Sequence, residues 1–277
     1  MTDMQRKLTS EYDRIWLDHL ARDDSDETVL NRMADRKEYY DIIQKYISRT
    51  EAPMVMEIGC GTGIDINLIK KRNRTITAVG SDISEKSIQV ALKICRDFGN
   101  LMVLFVGDTL MLPLKSETVD ILFSQGLVEH FKDPEAVIAE QVRVLRNGGI
   151  LIVNVPQKYT GYTVMKKRLM REGKWALGWE KEFSYRDLKQ IGNNLGLIEK
   201  NVFGSQYWKS WGEPAFVLRD LLNKIRRRTP LRVFPPFQTM AGLYNALWGK
   251  LETRWGHYFL KNIVIVFQKG TDENFAS

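Results

Sequence analysis

Apolar positions along the chain keep two different rhythms. Between residues 27 and 49, Val29, Met33, Tyr40, Ile43 and Ile47 recur at steps of three, four or seven, the stripe of an amphipathic helix. A further helix is predicted over 3–21, and Pro53 closes this helical stretch. Beyond it short apolar runs alternate with helical segments. Strands are predicted at VMEI (55–58), TITAVGSD (75–82), LMVLFVGD (101–108), VDILFSQG (119–126) and GGILIVNVP (148–156). Helices are predicted over 63–72, 84–97 and 134–146, with Ser84 as the N-cap of the second. The strand runs are apolar almost throughout, which predicts a parallel sheet covered by helices on both faces. Ligands of such sheets bind outside the carboxyl ends of the strands, near the point where the strand order reverses.

The pattern then loosens. No strand is evident over 157–182; a helix follows at 184–196, and strands at 197–204 and 262–270. Residues 205–258 separate those last two strands, a connection far longer than an ordinary loop. The expected organisation is an N-terminal helical cap (1–52), a core (53–204 and 259–270) and an inserted helical lid (205–258). Within the insertion, helices are predicted over 215–228 and 239–255, separated by Pro230, Pro235 and Pro236.

Composition narrows the class. With 277 residues, 44% hydrophobic and 27% charged, the chain is globular and long enough for a large core. Its two cysteines, Cys60 and Cys95, cannot staple a fold of this size and form no CxxC pair. The first residues lack the apolar core of a signal peptide and no apolar run approaches a membrane span, so a cytoplasmic setting is expected.

Candidate chemistry centres on Glu57-Ile58-Gly59-Cys60-Gly61-Thr62-Gly63, between a strand and a helix. Glycines there permit a tight turn and close approach of backbone to ligand at a helix N-terminus. Asp82, at the end of the second strand, is placed to accept both hydroxyls of a ribose. Asp108, at the end of the third, is placed to accept from an exocyclic adenine amine. A dinucleotide loop would read GxGxxG rather than GxGxG, and no GxxxxGK[ST] phosphate loop occurs.

In order, EIGCGTG, SDIS, GDTLMLP, VDILFSQGLVEHF and VLRNGGILIVNVP resemble the class I S-adenosylmethionine-dependent methyltransferases. Within them they are most similar to the group that includes the ubiquinone and menaquinone methyltransferases. The resemblance covers residues 53–156 and the closing strand 262–268. It implies a Rossmann-like α/β fold with a seven-stranded, mostly parallel sheet, in which strand six is parallel to the others and strand seven returns antiparallel. It implies S-adenosyl-L-methionine as cofactor, S-adenosyl-L-homocysteine as product, and no metal. Gly59 and Gly61 would pass the methionine part, with Cys60 between them counted in the same contact and its thiol read as a small buried group. Glu57 would anchor the loop. Asp82 would hold the ribose, Ile83 would pack on adenine, and Asp108, Thr109 and Leu110 would surround the adenine amine. Gln125 would approach the cofactor's amino group. Tyr12, in a segment similar to N-terminal family segments, would reach the methionine carboxylate or pack beside it.

Methyl transfer needs alignment, exclusion of water and sometimes removal of a proton. Ser124-Gln125-Gly126-Leu127 replaces the Asn/Asp-Pro-Pro-aromatic motif of the N6-adenine and amide branch, and neither cysteine is placed for the RNA m5C branch. His130, after Glu129, is the candidate general base; the pair is equally suited to fixing its loop. Tyr159 and Tyr162 follow strand five on the side where an acceptor is expected, and serve equally as loop anchors. His19 and His257 have no partner at metal-ligand spacing.

Charge adds one refinement. The net charge is +7, and residues 205–258 hold nine Lys or Arg against three Asp or Glu, together with four of the seven tryptophans. The core is therefore nearly neutral and the insertion basic and aromatic. Its two helices are read as roofing a pocket for a small-molecule acceptor. Contact with a membrane surface or lipid-like acceptor, contact with a second copy of the chain, and nucleic-acid binding compete with that reading. The expected activity is methylation of oxygen or carbon ahead of nitrogen. An RNA methyltransferase and a non-catalytic cofactor-binding protein are the alternatives.

Overall fold

A computed structural model describes residues 37–175, 179–205, 256–258 and 260–271. Tyr12, His19, the helix predicted over 3–21, the first part of that over 27–49 and both insertion helices lie outside the described residues.

In chain order the elements are α1 (Lys37–Ile47), β1 (Met54–Ile58), α2 (Ile64–Arg72), β2 (Thr77–Asp82), α3 (Glu85–Asp97), β3 (Val103–Val106) and β4 (Val119–Gln125). A one-turn 3₁₀ segment (Val128–His130) follows, then α4 (Pro134–Val144), β5 (Leu145–Pro156), α5 (Gly161–Arg171), α6 (Tyr185–Asn194) and β6 (Leu197–Ser205). A second 3₁₀ turn (Gly256–Tyr258) precedes β7 (Asn262–Lys269).

The sheet order is β3-β2-β1-β4-β5-β7-β6. β1 pairs in parallel with β2 and β4, β2 with β3, and β4 with β5, while β7 runs antiparallel to both β5 and β6. The expected seven-stranded, mostly parallel α/β sheet is thus observed. The chain steps outward from β1 to β3 and then returns to the far side of β1 as β4. The strand order therefore reverses between β1 and β4, the point at which sheets of this kind bind ligands.

The continuous apolar strands have a simple cause, because their alternate side chains enter two separate cores. Met56, Ile58, Leu122, Leu151, Val153, Val155, Ile263 and Ile265 meet Val137 and Ile138 of α4 and Leu188 and Ile191 of α6. Val55, Ile121, Phe123, Ile150, Ile152, Val264 and Val266 meet Tyr39 and Ile43 of α1 and Ile64, Ile66 and Leu68 of α2. Caps set the helix starts. The Ser84 hydroxyl accepts from the Ser87 amide at 3.1 Å, and Ser184 forms a capping box with Asp187 at the head of α6.

Several predicted bounds shift. β2 begins at Thr77 rather than 75. β3 keeps only Val103–Val106 of the predicted 101–108, because it is an edge strand with one neighbour. The helix predicted over 134–146 stops at Val144, and β5 begins at Leu145, which pairs with Val119. The register slips between Val119 and Ile121, so Arg146-Asn147-Gly148, predicted as the helix end and the first residue of the strand, is an irregular start of β5. The stretch 157–182, in which no strand is predicted, forms none among its described residues and contains α5.

Candidate functional site

The carboxyl ends of β1 to β4 converge on the glycine loop. Gly59 sits at φ +67°, and a Cβ there would stand 2.9 Å from Leu127 Cδ1, so both conformation and space require glycine. Gly63 caps α2 in the left-handed conformation. The loop is tied down by main chain: the Cys60 amide donates to the Ser81 carbonyl at 2.9 Å and the Gly63 amide to the Cys60 carbonyl at 2.8 Å. Glu57 is buried, and its Oε2 accepts from the Ile66 amide at 3.0 Å, inside the first turn of α2. It ties the end of β1 to the first turn of α2. The Cys60 thiol is also buried and raised well above its usual range, first by burial and then by the Glu57 and Asp82 carboxylates, so it is an inert packing group.

Asp82 links two loops. Its Oδ2 accepts from the Gly61 amide and its Oδ1 from the Ser84 amide, both at 2.9 Å. Burial raises its pKa, opposed by these backbone bonds. The Gly107 amide donates to the Asp82 carbonyl at 2.9 Å, bringing the β3 loop alongside. There Asp108 Oδ1 accepts from the Leu110 amide at 2.9 Å, which folds Thr109 inward and leaves Leu110 exposed. Ile83 and Gln125 are half-buried beside them. The expected cofactor residues Glu57, Gly59, Cys60, Gly61, Asp82, Ile83, Asp108, Thr109, Leu110 and Gln125 therefore lie along one edge.

That edge carries buried polar atoms with no hydrogen-bond partner among the described residues: Thr109 Oγ1, Ser124 Oγ, Glu129 Oε2 and Asn154 Oδ1. Buried polar atoms are ordinarily paired, so a polar ligand resting on this edge fits the residues present.

A second group of side chains faces the ends of β4 and β5. Lys166 of α5 is fully buried, with Nζ 2.8 Å from Glu180 Oε2 and 3.1 Å from Glu182 Oε1. Trp175 Nε1 donates to Glu180 Oε1 at 3.1 Å, and the Trp175 ring meets Tyr162 edge-on at 6.1 Å. Lys261 Nζ stands 4.3 Å from the centre of the Tyr162 ring. Burial, with the Glu180 and Glu129 carboxylates, pushes the Tyr162 hydroxyl up to about 12. Glu129 and His130 are buried beside this group. Burial pushes the Glu129 carboxyl up to about 8 and lowers His130, so the imidazole is neutral at pH 7.

Of the residues singled out after strand five, Tyr162 joins this cluster while Tyr159 is 68% exposed. Lys166, Trp175, Glu180 and Glu182 carry no sequence signal of their own, since Lys166 sits in a Lys-Lys-Arg run that reads as a solvated face. His257 is buried in the turn before β7 and stacks near Tyr185. Among the described residues no cluster of three His, Cys, Asp or Glu could hold a metal ion, and no helix is long and apolar enough to cross a membrane.

A family model described as "Methyltransferase domain" matches residues 56–153. A Mycobacterium tuberculosis protein described as a "Probable S-adenosylmethionine-dependent methyltransferase" is 29% identical over 119 residues, covering 43% of this chain and 41% of that protein. A phosphatidylethanolamine N-methyltransferase of Cereibacter sphaeroides is 29% identical over 133 residues, covering 47% of this chain and 64% of that protein. The chain thus spans about two fifths of the length of the first, 41%, and under two thirds of the second, 64%. In fold it is similar to magnesium protoporphyrin IX methyltransferase of Synechocystis PCC 6803 with bound S-adenosylhomocysteine: TM-score 0.62, 14% identity, covering 97% of this chain and 100% of that one. The strand order agrees with these likenesses: residues 56–153 match the methyltransferase-domain model, and the fold is that of the class I S-adenosylmethionine-dependent methyltransferases.

Proposed function

We propose that this chain transfers a methyl group from S-adenosyl-L-methionine to a small organic acceptor, at oxygen or carbon rather than nitrogen. The observation that carries this reading is the Asp82 carboxylate, bonded to the Gly61 amide at the point where the strand order reverses. When bound, the cofactor supplies a methyl on a sulfonium sulfur, an electrophile in its own right. Asp82, whose oxygens accept from the Gly61 and Ser84 amides, would also accept from the ribose hydroxyls. Asp108 binds the adenine amine, flanked by Thr109 and Leu110, and Ile83 packs on the ring. Gly59 and Gly61 let the backbone approach the methionine part, Gln125 lies toward its amino group, and Glu57 fixes the loop. His130, a neutral imidazole, hydrogen-bonds the acceptor. Residues 1–52 serve as cap and 205–258 as lid over this edge.

Calorimetry of S-adenosylmethionine binding tests the reading. Asp82→Ala weakens binding by more than tenfold, about 1.4 kcal/mol or more, because the ribose contact and the loop tie are lost together. Equal affinity in both proteins would overturn it. A methyl-release assay on a panel of metabolites then separates an enzyme from a non-catalytic cofactor binder. In that assay His130→Ala lowers turnover far more than cofactor affinity.

A second reading, a lipid-like acceptor at a membrane surface, is favoured by the basic, tryptophan-rich composition of residues 205–258 and by the likeness to a phosphatidylethanolamine N-methyltransferase. Sedimentation with anionic liposomes at low salt decides it, since failure to co-sediment removes this reading.

A further inference from the structure

The opposite edge of the sheet holds a cleft that methyl transfer leaves unused. It has a volume of about 400 Å³ and lies at the amino ends of β4 and β5, bordered by the residues after α1, by β6 and by the end of β7. Its floor is shaped by the irregular start of β5. Val119 pairs with Leu145 and Ile121 with Ile150, so Arg146 to Gly149 stand opposite Asp120 alone. Charge in the cleft is one-sided. Arg49, Arg146 and Lys200 line it against the single carboxylate of Asp120. That carboxylate is already committed, its Oδ1 accepting from Arg146 Nη1 and its Oδ2 from the Met54 amide, both at 2.8 Å. Arg49 and Lys200 form no ion pair among the described residues. The Arg49 guanidinium lies over the Tyr46 ring, 5.3 Å from its centre, a contact that holds it at the cleft. Like charges gathered in a concave surface raise the local concentration of anions. Tyr46, Ile121 and Ile150 are buried and give the cleft an apolar side. Small-molecule sites have volumes of roughly 300–1,000 Å³, so there is room for an organic body beside the anionic group.

We infer that this cleft is a second ligand site, which binds a small organic phosphomonoester through Arg49, Arg146 and Lys200, with the organic part against Tyr46 and Ile150. The three cations come from three different elements: Arg49 follows α1, Arg146 opens β5 and Lys200 belongs to β6. A phosphoryl group presents three terminal oxygens in three directions and suits cations that arrive from three sides. A carboxylate presents two oxygens in one plane and suits a single guanidinium fork. At neutral pH a phosphomonoester carries a charge close to −2, which matches the two cations left over once Arg146 is set against Asp120. The cleft opens at the amino ends of strands whose carboxyl ends carry Gly59 and Asp82, so its ligand does not compete with the methyl donor. Bound there, it joins the end of α1 to β5 and β6.

The test is calorimetry on the full chain with phenyl phosphate as probe, at low salt and with S-adenosylhomocysteine present to fill the cofactor edge. Saturable binding at one site is expected, and it weakens as salt rises from about 0.01 M to about 0.15 M. Arg49 and Lys200 are exposed, so Arg49→Gln and Lys200→Gln fold, and each weakens binding by roughly fivefold. The double variant removes it. Phthalate, a dicarboxylate of similar size, binds roughly fivefold more weakly than phenyl phosphate. In the wild type alone, the amide resonances of Thr50, Asn147 and Gly148 shift as the probe is added while those of Gly59 and Gly61 stay, a measurement that needs no variant. No saturable binding by the wild type, equal affinity in the double variant, phthalate bound as tightly as phenyl phosphate, or displacement of the probe by S-adenosylhomocysteine overturns the inference. A failure of the wild type to bind S-adenosylmethionine sinks the methyltransferase reading and leaves the result for this cleft standing.

Discussion

The two halves of the carboxyl edge are built by different means. At the ends of β1, β2 and β3 the surface is mostly backbone: glycines in the left-handed region and amides tied to Asp82 and Asp108 by bonds near 2.9 Å. Its residues lie close in sequence or at the ends of adjacent strands. Beyond β4 and β5 the surface is made of side chains gathered from α5, the segment after it and the turn before β7, and it contains a fully buried ion network. Under the proposed function the first half would hold the cofactor through backbone, and the second would surround the acceptor with side chains drawn from distant segments.

The contrast is broken most severely at Lys166. Lys166→Met keeps the aliphatic volume but leaves Glu180 and Glu182 buried without their shared cation, and is expected to cost about 3–5 kcal/mol, measured by urea denaturation. Adding Glu180→Gln should return part of that loss while cofactor affinity stays unchanged. If Lys166→Met instead abolished cofactor binding in a still-folded protein, the two halves would not be independent.

Glu129 gives a pH test with a defined sign. Its folded carboxyl is raised from 4.5 to about 8, so between these values the folded state keeps a proton that the unfolded state has released. Stability is fully present below about pH 4.5 and falls as pH rises through about 8. Glu129→Gln should flatten that slope by a few kcal/mol across the window, read from denaturation midpoints at pH 5 and pH 8. An unchanged slope would place the titrating group elsewhere.

On the cofactor side, Gly59→Ala puts a Cβ 2.9 Å from Leu127 Cδ1 at φ +67°. A loss of about 1–3 kcal/mol in stability, with weaker S-adenosylmethionine binding, is expected. The smallest effect belongs to Ser184→Ala, which removes the capping box at the head of α6 for about 1 kcal/mol of stability and leaves cofactor affinity untouched.

Legibility in the sequence follows the same division. GxGxG and the acids Asp82 and Asp108 announce themselves, because a tight turn and a strand end each constrain residue type locally. Ser84 reads as a cap, and the structure uses it as one. The insertion and the N-terminal cap were read from composition and helical spacing, and they lie outside the described residues. Lys166 is the clearest case of illegibility. In the run Lys166-Lys167-Arg168 nothing marks the first as buried, yet it is fully enclosed while Arg168 is largely exposed. The misplaced start of β5 is similar: Arg146-Asn147-Gly148 has turn chemistry, and only pairing with Val119 draws Leu145 into the strand.

By itself the sequence determined the class of sheet, the two-sided burial of its strands and the glycine loop between β1 and α2. Each of these depends on periodicity or on residues a few positions apart. Only the tertiary structure decided which polar side chains are buried together beyond β4 and β5. Their proton affinities and ion pairs arise from distances between segments up to more than a hundred residues apart, which no local pattern encodes.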